Sequence, residues 1–334
     1  MAPLGIIGLM RRLAKAAARA VLHRTGALDI IRSRTKQAAR ILTYHRFADA
    51  SLPSLDKQCA YLRDRYQPVP MSRIAAWLEG REALPDYALA VTVDDGYRDF
   101  LKAHEVFRRH AIPVTVFVVS GFLDGLWLWY DRVTHAFTST PLNSVRLPKP
   151  LRETSLPLET KAQRLVAADV VSEQLKALPN AEMRAFVDGL PALLEVSLNG
   201  GPPPEDAPLT WEDARRLQSE GVEFGAHSAT HPILSRVERD EDLSREFHES
   251  ARRIREELGA PPIHFCYPNG QPNDIDARCV AAAQQTGFHL AVTTTRGLNP
   301  PGSDRFLLQR LSVEPNLDPL YFRETVAGLR LVAS

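Results

Sequence analysis

Apolar runs alternate with amphipathic stretches along most of this chain. Arg40-Ile41-Leu42-Thr43-Tyr44-His45-Arg46-Phe47 has the pattern of a first strand, and Ala88-Leu89-Ala90-Val91-Thr92-Val93 that of a buried one. Pro113 to Val119, Val222-Glu223-Phe224, Leu290 to Thr294 and Leu311-Ser312-Val313 follow as further strands. Between them the apolar positions recur at helical spacing. The pattern predicts helices over Leu55 to Tyr66, over Ser72 to Glu79 with Ser72 as N-cap and Gly80 as C-cap, and over Tyr97 to His110. Thr210-Trp211-Glu212-Asp213 resembles a capping box with Asp in place of Glu, opening a helix that stops near Gly221. Glu238 to Leu258 puts Leu243, Phe247, Ile254 and Leu258 on one face, and Gly259 ends it. Strand–helix alternation of this kind predicts an α/β fold with a parallel sheet closed into a barrel.

Residues 124–209 interrupt the alternation. An aromatic stretch, Trp127-Leu128-Trp129-Tyr130-Asp131-Arg132, opens the interruption, and a Pro/Ser/Thr-rich connection follows around 139–158. Glu159 to Leu178 and Ala181 to Leu194 then read as two helices, the second with Asn180 as N-cap, and Asn199-Gly200-Gly201-Pro202-Pro203-Pro204 closes the segment as a loop. Such insertions are where barrels vary their function. The tryptophans either stack on a bound ligand or seat the insertion by packing.

Charge separates the N-terminus from the rest. The net charge of the 334 residues is +1, yet residues 1–40 carry +8 and the remainder −7. The balance of the whole gives no sign of nucleic acid as a partner. Met1 to Met10 is apolar and Arg11-Arg12 follows, the reverse of a secretory signal, and the run is too short to span a bilayer. No cleavable signal or transmembrane helix is expected, which favours a cytoplasmic place or a peripheral one at the inner membrane face. Leu9, Leu13, Ala16-Ala17 and Ala20-Val21 recur at helical spacing, with Arg11, Arg12, Lys15 and Arg19 mostly between them. Residues 1–37 therefore form a basic amphipathic segment, either lying on an anionic membrane surface or packed on the barrel; residues 38–334 are the expected catalytic domain. Cys59, Cys266 and Cys279 are an odd number without close pairing and imply no disulfide framework.

Two polar clusters end predicted strands. Asp94-Asp95-Gly96 follows one and His227-Ser228-Ala229-Thr230-His231-Pro232 the other. In α/β folds that strand edge carries active sites. One carboxylate with two imidazoles makes a three-ligand set with open positions, as a catalytic zinc-type ion needs, and leaves the second carboxylate as a base.

With these residues the sequence resembles the polysaccharide deacetylases, carbohydrate esterase family four, which share a domain with the nodulation-type chitooligosaccharide deacetylases. Thr92-Val93-Asp94-Asp95-Gly96 is similar to the first motif, His227 to Pro232 to the second, and Phe265-Cys266-Tyr267-Pro268-Asn269-Gly270 to the Tyr-Pro-x-Gly form of the third. The resemblance covers roughly residues 38–125 and 208–315. It implies a distorted (β/α) barrel with fewer than eight complete units, here with a helical insertion and an N-terminal helix. It also implies removal of acetyl groups from N-acetylated sugars of a poly- or oligosaccharide.

By this resemblance Asp95, His227 and His231 hold one divalent metal ion, zinc first, with nickel, cobalt or iron also admitted by the ligand set. Asp94 is the base, and the backbone N–H of Tyr267, held by Pro268 and Gly270, meets the oxyanion. Two family features are missing. The Arg of the third motif is replaced by Cys266, and no His follows Leu311 to serve as the acid. His45, at the end of the first strand, is the candidate acid, and Arg310 the candidate to steady Asp94. His289 is expected to be structural. The expected partner is an acetylated glycan. Two other readings remain: a de-N-acylase of a lipid-linked or small amino sugar, and a non-catalytic glycan-binding protein on the same fold.

Overall fold

The computed structural model describes residues 26–329. Its main sheet has eight parallel strands: β1 (Arg40–Tyr44), β2 (Gln67–Pro68), β3 (Ala88–Val93), β4 (Val114–Val118), β7 (Glu223–Ala226), β8 (His264–Cys266), β9 (Leu290–Arg296) and β10 (Leu308–Ser312). All but β2 close into a ring, because β1 pairs with both β3 and β10. The short β2 pairs only with the start of β3. The result is the closed parallel barrel that the alternation predicts, distorted and short of eight complete units as the resemblance implies.

Period-two alternation sorts the strand residues into two cores. Leu89, Val91 and Val93 of β3 face the surrounding helices. Ala88 and Ala90 share the other cluster with Ile41, Phe117, Leu290, Val292 and Leu308. Both faces are covered, so β1, β3 and β4 are buried at every position. Helices α1 (Ala27–Arg34), α2 (Leu52–Arg65), α3 (Met71–Leu78), α4 (Phe100–Arg109) and α5 (Ser120–Leu123) precede the insertion. Helices α9 (Trp211–Ser219), α10 (Asp240–Leu258), α11 (Ala277–Thr286) and α12 (Pro319–Ala327) follow it.

Helix α3 begins one residue earlier than the sequence suggests. Its cap position is Pro70, and the Ser72 N–H is met by the Glu223 carboxylate of β7 at 3.2 Å. The start of α3 is thus capped through tertiary structure, not by its own hydroxyl. Thr210 does form its predicted capping box with Asp213.

The insertion has a core of its own. Helix α6 (Trp129–Ser139), the antiparallel pair β5 (Ser144–Arg146) and β6 (Ser155–Pro157), α7 (Lys161–Leu175) and α8 (Asn180–Leu194) enclose Val133, Phe137, Leu147, Val171 and Leu190. The α6 helix and the hairpin were not predicted. Asn180 is the first residue of α8 and its side chain makes no cap, the cap position being Pro179. Trp127 and Trp129 are each 8% exposed, so they seat the insertion by packing.

At the N-terminus, α1 packs against α12. The amphipathic run from Leu9 to Val21 lies outside the described residues. Among the described residues no helix is long and apolar enough to cross a membrane.

Candidate active site

Asp94 and Asp95 leave β3 at the C-terminal rim of the barrel. Successive strand residues would point to opposite faces. The chain avoids this at Asp95 itself, which takes a left-handed φ of 74°, followed by Gly96 at 90°. A non-glycine residue rarely adopts that conformation, and it turns both carboxylates into one cavity. The sequence points only to Gly96 for this turn.

His227 and His231 sit on the loop after β7, not on a helix. The loop is built by hydrogen bonds. The Ser228 hydroxyl accepts from the His231 N–H at 3.0 Å. The buried carboxylate of Glu246, on α10, accepts from the Ala229 and Thr230 N–H groups at 3.0 and 2.8 Å and from the Thr230 hydroxyl at 2.6 Å. Gly121 packs directly on this loop, where a Cβ would lie 2.5 Å from the Ala229 carbonyl oxygen. Sequence reasoning missed Glu246. Its signal was a carboxylate on the apolar face of a helix, among Leu243, Phe247 and Ile254.

The donor atoms converge. Asp95 Oδ1 lies 3.4 Å from His227 Nε2 and 3.5 Å from His231 Nε2. Donors about 2.1 Å from a shared tetrahedral ion stand about 3.4 Å apart, so the set fits a zinc-sized cation. The Cys266 carbonyl lies 2.7 Å from His227 Nδ1 and holds that nitrogen as a donor, so Nε2 is the nitrogen that faces Asp95. Burial and the neighbouring His227 push His231 down to about 4, which keeps its imidazole neutral near pH 7. Asp94, His227 and Cys266 also lie within reach of one another. That set suits a metal less well, because burial raises the Cys266 thiol pKa and Arg310 occupies Asp94.

Arg310, wholly buried on β10, reaches Asp94 with a two-pronged contact. Its Nη1 donates to Oδ1 at 2.7 Å and its Nη2 to Oδ2 at 2.6 Å. Its other donors go to the Thr43 and Thr92 hydroxyls, the Thr293 carbonyl and the Cys266 sulfur, so the guanidinium is fully engaged. Burial works against the Asp94 charge, but the Arg310 charge and hydrogen bonds outweigh it and hold the carboxyl well below the usual carboxylate range. His45 stands at the end of β1 with Nε2 3.6 Å from Asp94 Oδ2, and it is partly open to the cavity. His289, away from this group, contacts Glu79 at 3.0 Å.

One sequence-based expectation needs correction. The Tyr267 N–H, expected to face an oxyanion, donates to the Val292 carbonyl at 3.1 Å. A buried backbone donor must be satisfied, and the register of β8 on β9 satisfies this one inside the barrel wall. Pro268 contributes to the tight turn beyond it, its carbonyl accepting from the Gly270 N–H at 2.6 Å. Tyr267 still lines the cavity, whose volume is about 510 Å³ and whose walls include Asp94, Asp95, His227, His231 and His45.

The family model described as polysaccharide deacetylase matches residues 170–291, which span the histidine loop and the third motif. Solved deacetylases share the fold of this domain. The Streptococcus pyogenes deacetylase PplD, solved in complex with acetate, superposes with a TM-score of 0.57 at 16% identity over 86% of this chain and 98% of its own. IcaB from Ammonifex degensii gives 0.57 at 17% identity over 87% and 96%. A de-N-acetylase from Aggregatibacter actinomycetemcomitans gives 0.54 at 18% over 84% and 97%. No curated protein sequence matches the chain.

Proposed function

We propose that this chain is a polysaccharide deacetylase that hydrolyses the N-acetyl groups of sugar units in a poly- or oligosaccharide, with one divalent ion held by Asp95, His227 and His231. The observation that carries this reading is the adjacency of two differently held carboxylates. Asp95 faces two imidazoles, while Asp94 is gripped by Arg310 and kept ionised beside them. A solved relative described as a de-N-acetylase and another holding acetate agree with the reaction class.

When bound, a zinc-type ion supplies Lewis acidity and makes water more acidic at the site. Asp94 takes the proton as water attacks the acetyl carbonyl, and Arg310 fixes the direction in which its oxygens point. His45, on the cavity wall and close to Asp94, delivers a proton to the departing amine. The buried walls around Asp94 and Arg310 exclude bulk water and so strengthen these charge interactions.

Acetate release from N-acetylated and O-acetylated glycans, after chelation and then with metal added back, tests the proposal. Metal-restored release from N-acetylated oligomers is the expected result. A protein that binds such oligomers but releases no acetate under any metal would instead be a glycan-binding member of the fold.

A further inference from the structure

The helical insertion reaches the catalytic cavity. Asp169, Ser172, Glu173 and Lys176 all line it, together with Asp94, Asp95 and the two histidines. Their spacing of three, four and seven places them on one side of α7, with Lys176 at its C-terminal cap. The other side of α7, with Ala167, Ala168, Val171 and Leu175, is buried in the insertion's own core. The helix is therefore anchored by its apolar face and turns a polar stripe toward the reaction centre. Asn269, Gln271 and Thr294 also line the cavity, with Gln271 Nε2 donating to Thr294 Oγ1 at 2.7 Å.

The chemistry of this stripe suits hydroxyl groups. Carboxylates and a serine accept and donate hydrogen bonds in the way sugar hydroxyls require. Lys176 and Glu173 pair at 2.7 Å and cancel in charge. Asp169, one turn earlier, leaves this wall net negative, which disfavours a carboxylate, sulfate or phosphate beside it. A cavity of about 510 Å³ lies within the range that takes a small ligand, so it holds a short stretch of saccharide.

We propose that this face of α7 is the sugar-recognition wall of the enzyme, and that Asp169 and Ser172 determine specificity by binding hydroxyls of a neutral saccharide unit next to the N-acetyl group under attack. The inference rests on the deacetylase reading above. Neither residue touches the proton acceptor or the metal ligands, so both act on substrate binding and not on the chemical step.

The test uses the full chain with Asp169→Ala, Ser172→Ala and Asp169→Asn. Kinetics are measured on oligomers of N-acetylglucosamine, on the same oligomers carrying a uronate unit, and on 4-nitrophenyl acetate, which has no sugar. Loss of a hydrogen bond predicts a KM for the neutral oligomers raised roughly three- to ten-fold per alanine variant, with kcat and the nitrophenyl ester rate unchanged. Asp169→Asn should lower the KM for the uronate oligomer. Unchanged KM values for neutral oligomers, or an equal loss on the nitrophenyl ester, would overturn the proposal. If the wild-type chain releases no acetate from any glycan, the deacetylase reading fails separately. Calorimetric binding of the neutral oligomer then decides: weaker binding by the alanine variants supports the wall, and equal binding or none by the wild type refutes it.

Discussion

Arg310 and Asp94 are 216 residues apart in sequence, yet the guanidinium of one meets both carboxylate oxygens of the other at 2.7 and 2.6 Å in the interior of the barrel. The third motif of many relatives is expected to supply such an arginine. Here Cys266 stands in that place, and its sulfur rests 3.1 Å from Arg310 Nη2. A small thiol leaves room for a guanidinium arriving from β10.

This pairing predicts a split between two substitutions. Arg310→Lys keeps the charge but not the planar fork, so turnover should fall by up to about a hundred-fold through misplacement of Asp94 while the fold survives. Arg310→Met leaves a buried carboxylate without its partner and should cost about 3–5 kcal/mol of stability. Acetate release and denaturant unfolding, measured on both variants, check the two effects. Wild-type turnover by Arg310→Lys would show that the fork does not matter.

Asp94→Asn keeps the shape of the proposed base and removes its proton acceptor. Metal content should survive, while turnover drops roughly a hundred- to ten-thousand-fold. His227→Ala and His231→Ala should lose both metal and activity. Elemental analysis of the purified variants beside rate measurements separates the roles. Full metal occupancy in either histidine variant would refute the ligand assignment.

Glu246 touches neither His227 nor His231 through its side chain but ties the backbone between these proposed ligands. Glu246→Gln removes one acceptor oxygen and leaves the loop less determined. Metal affinity should fall roughly ten-fold or more, with little change in helix content by circular dichroism. Unaltered affinity in a competition titration against a chelator would make Glu246 a purely structural residue.

His45→Ala should depress amide hydrolysis far more than ester hydrolysis, because an amine leaves poorly without a proton and an alkoxide needs it less. Metal content should not move. An equal fall on both substrates, with the fold intact, would point to another proton donor.

On the opposite side of the barrel, Glu223 carries a pH-dependent part of the stability. Burial opposes its charge, but the contact to His264 and the hydrogen bonds from the Ser72 N–H and the Thr115 hydroxyl prevail and lower its pKa to about 2. A carboxyl depressed in the folded state stabilises above its unfolded value, and that stability is lost as pH falls from about 4.5 toward 2. The contribution is on the order of 1–3 kcal/mol at neutral pH. Thermal unfolding of wild type and Glu223→Gln across this window should show a gap that narrows with acid. A constant gap would mean that charge on Glu223 does not matter.

The chain itself determined what depends on neighbours in sequence. Apolar runs ending in Asp94-Asp95 and His227 to His231 mark strand ends, and the spacing of Leu243, Phe247 and Ile254 marks a helix face. The Thr210 box and the Gly259 stop lie where local chemistry puts them. Tertiary structure decided what depends on register and closure. It spent the Tyr267 N–H on Val292, brought Glu223 to the start of α3, set Glu246 under the histidine loop and turned α7 toward the cavity. A sequence states which side chains exist and which face each occupies. Barrel closure sets the distances between strands far apart in the chain, and burial then requires each polar group to find whichever partner lies within reach.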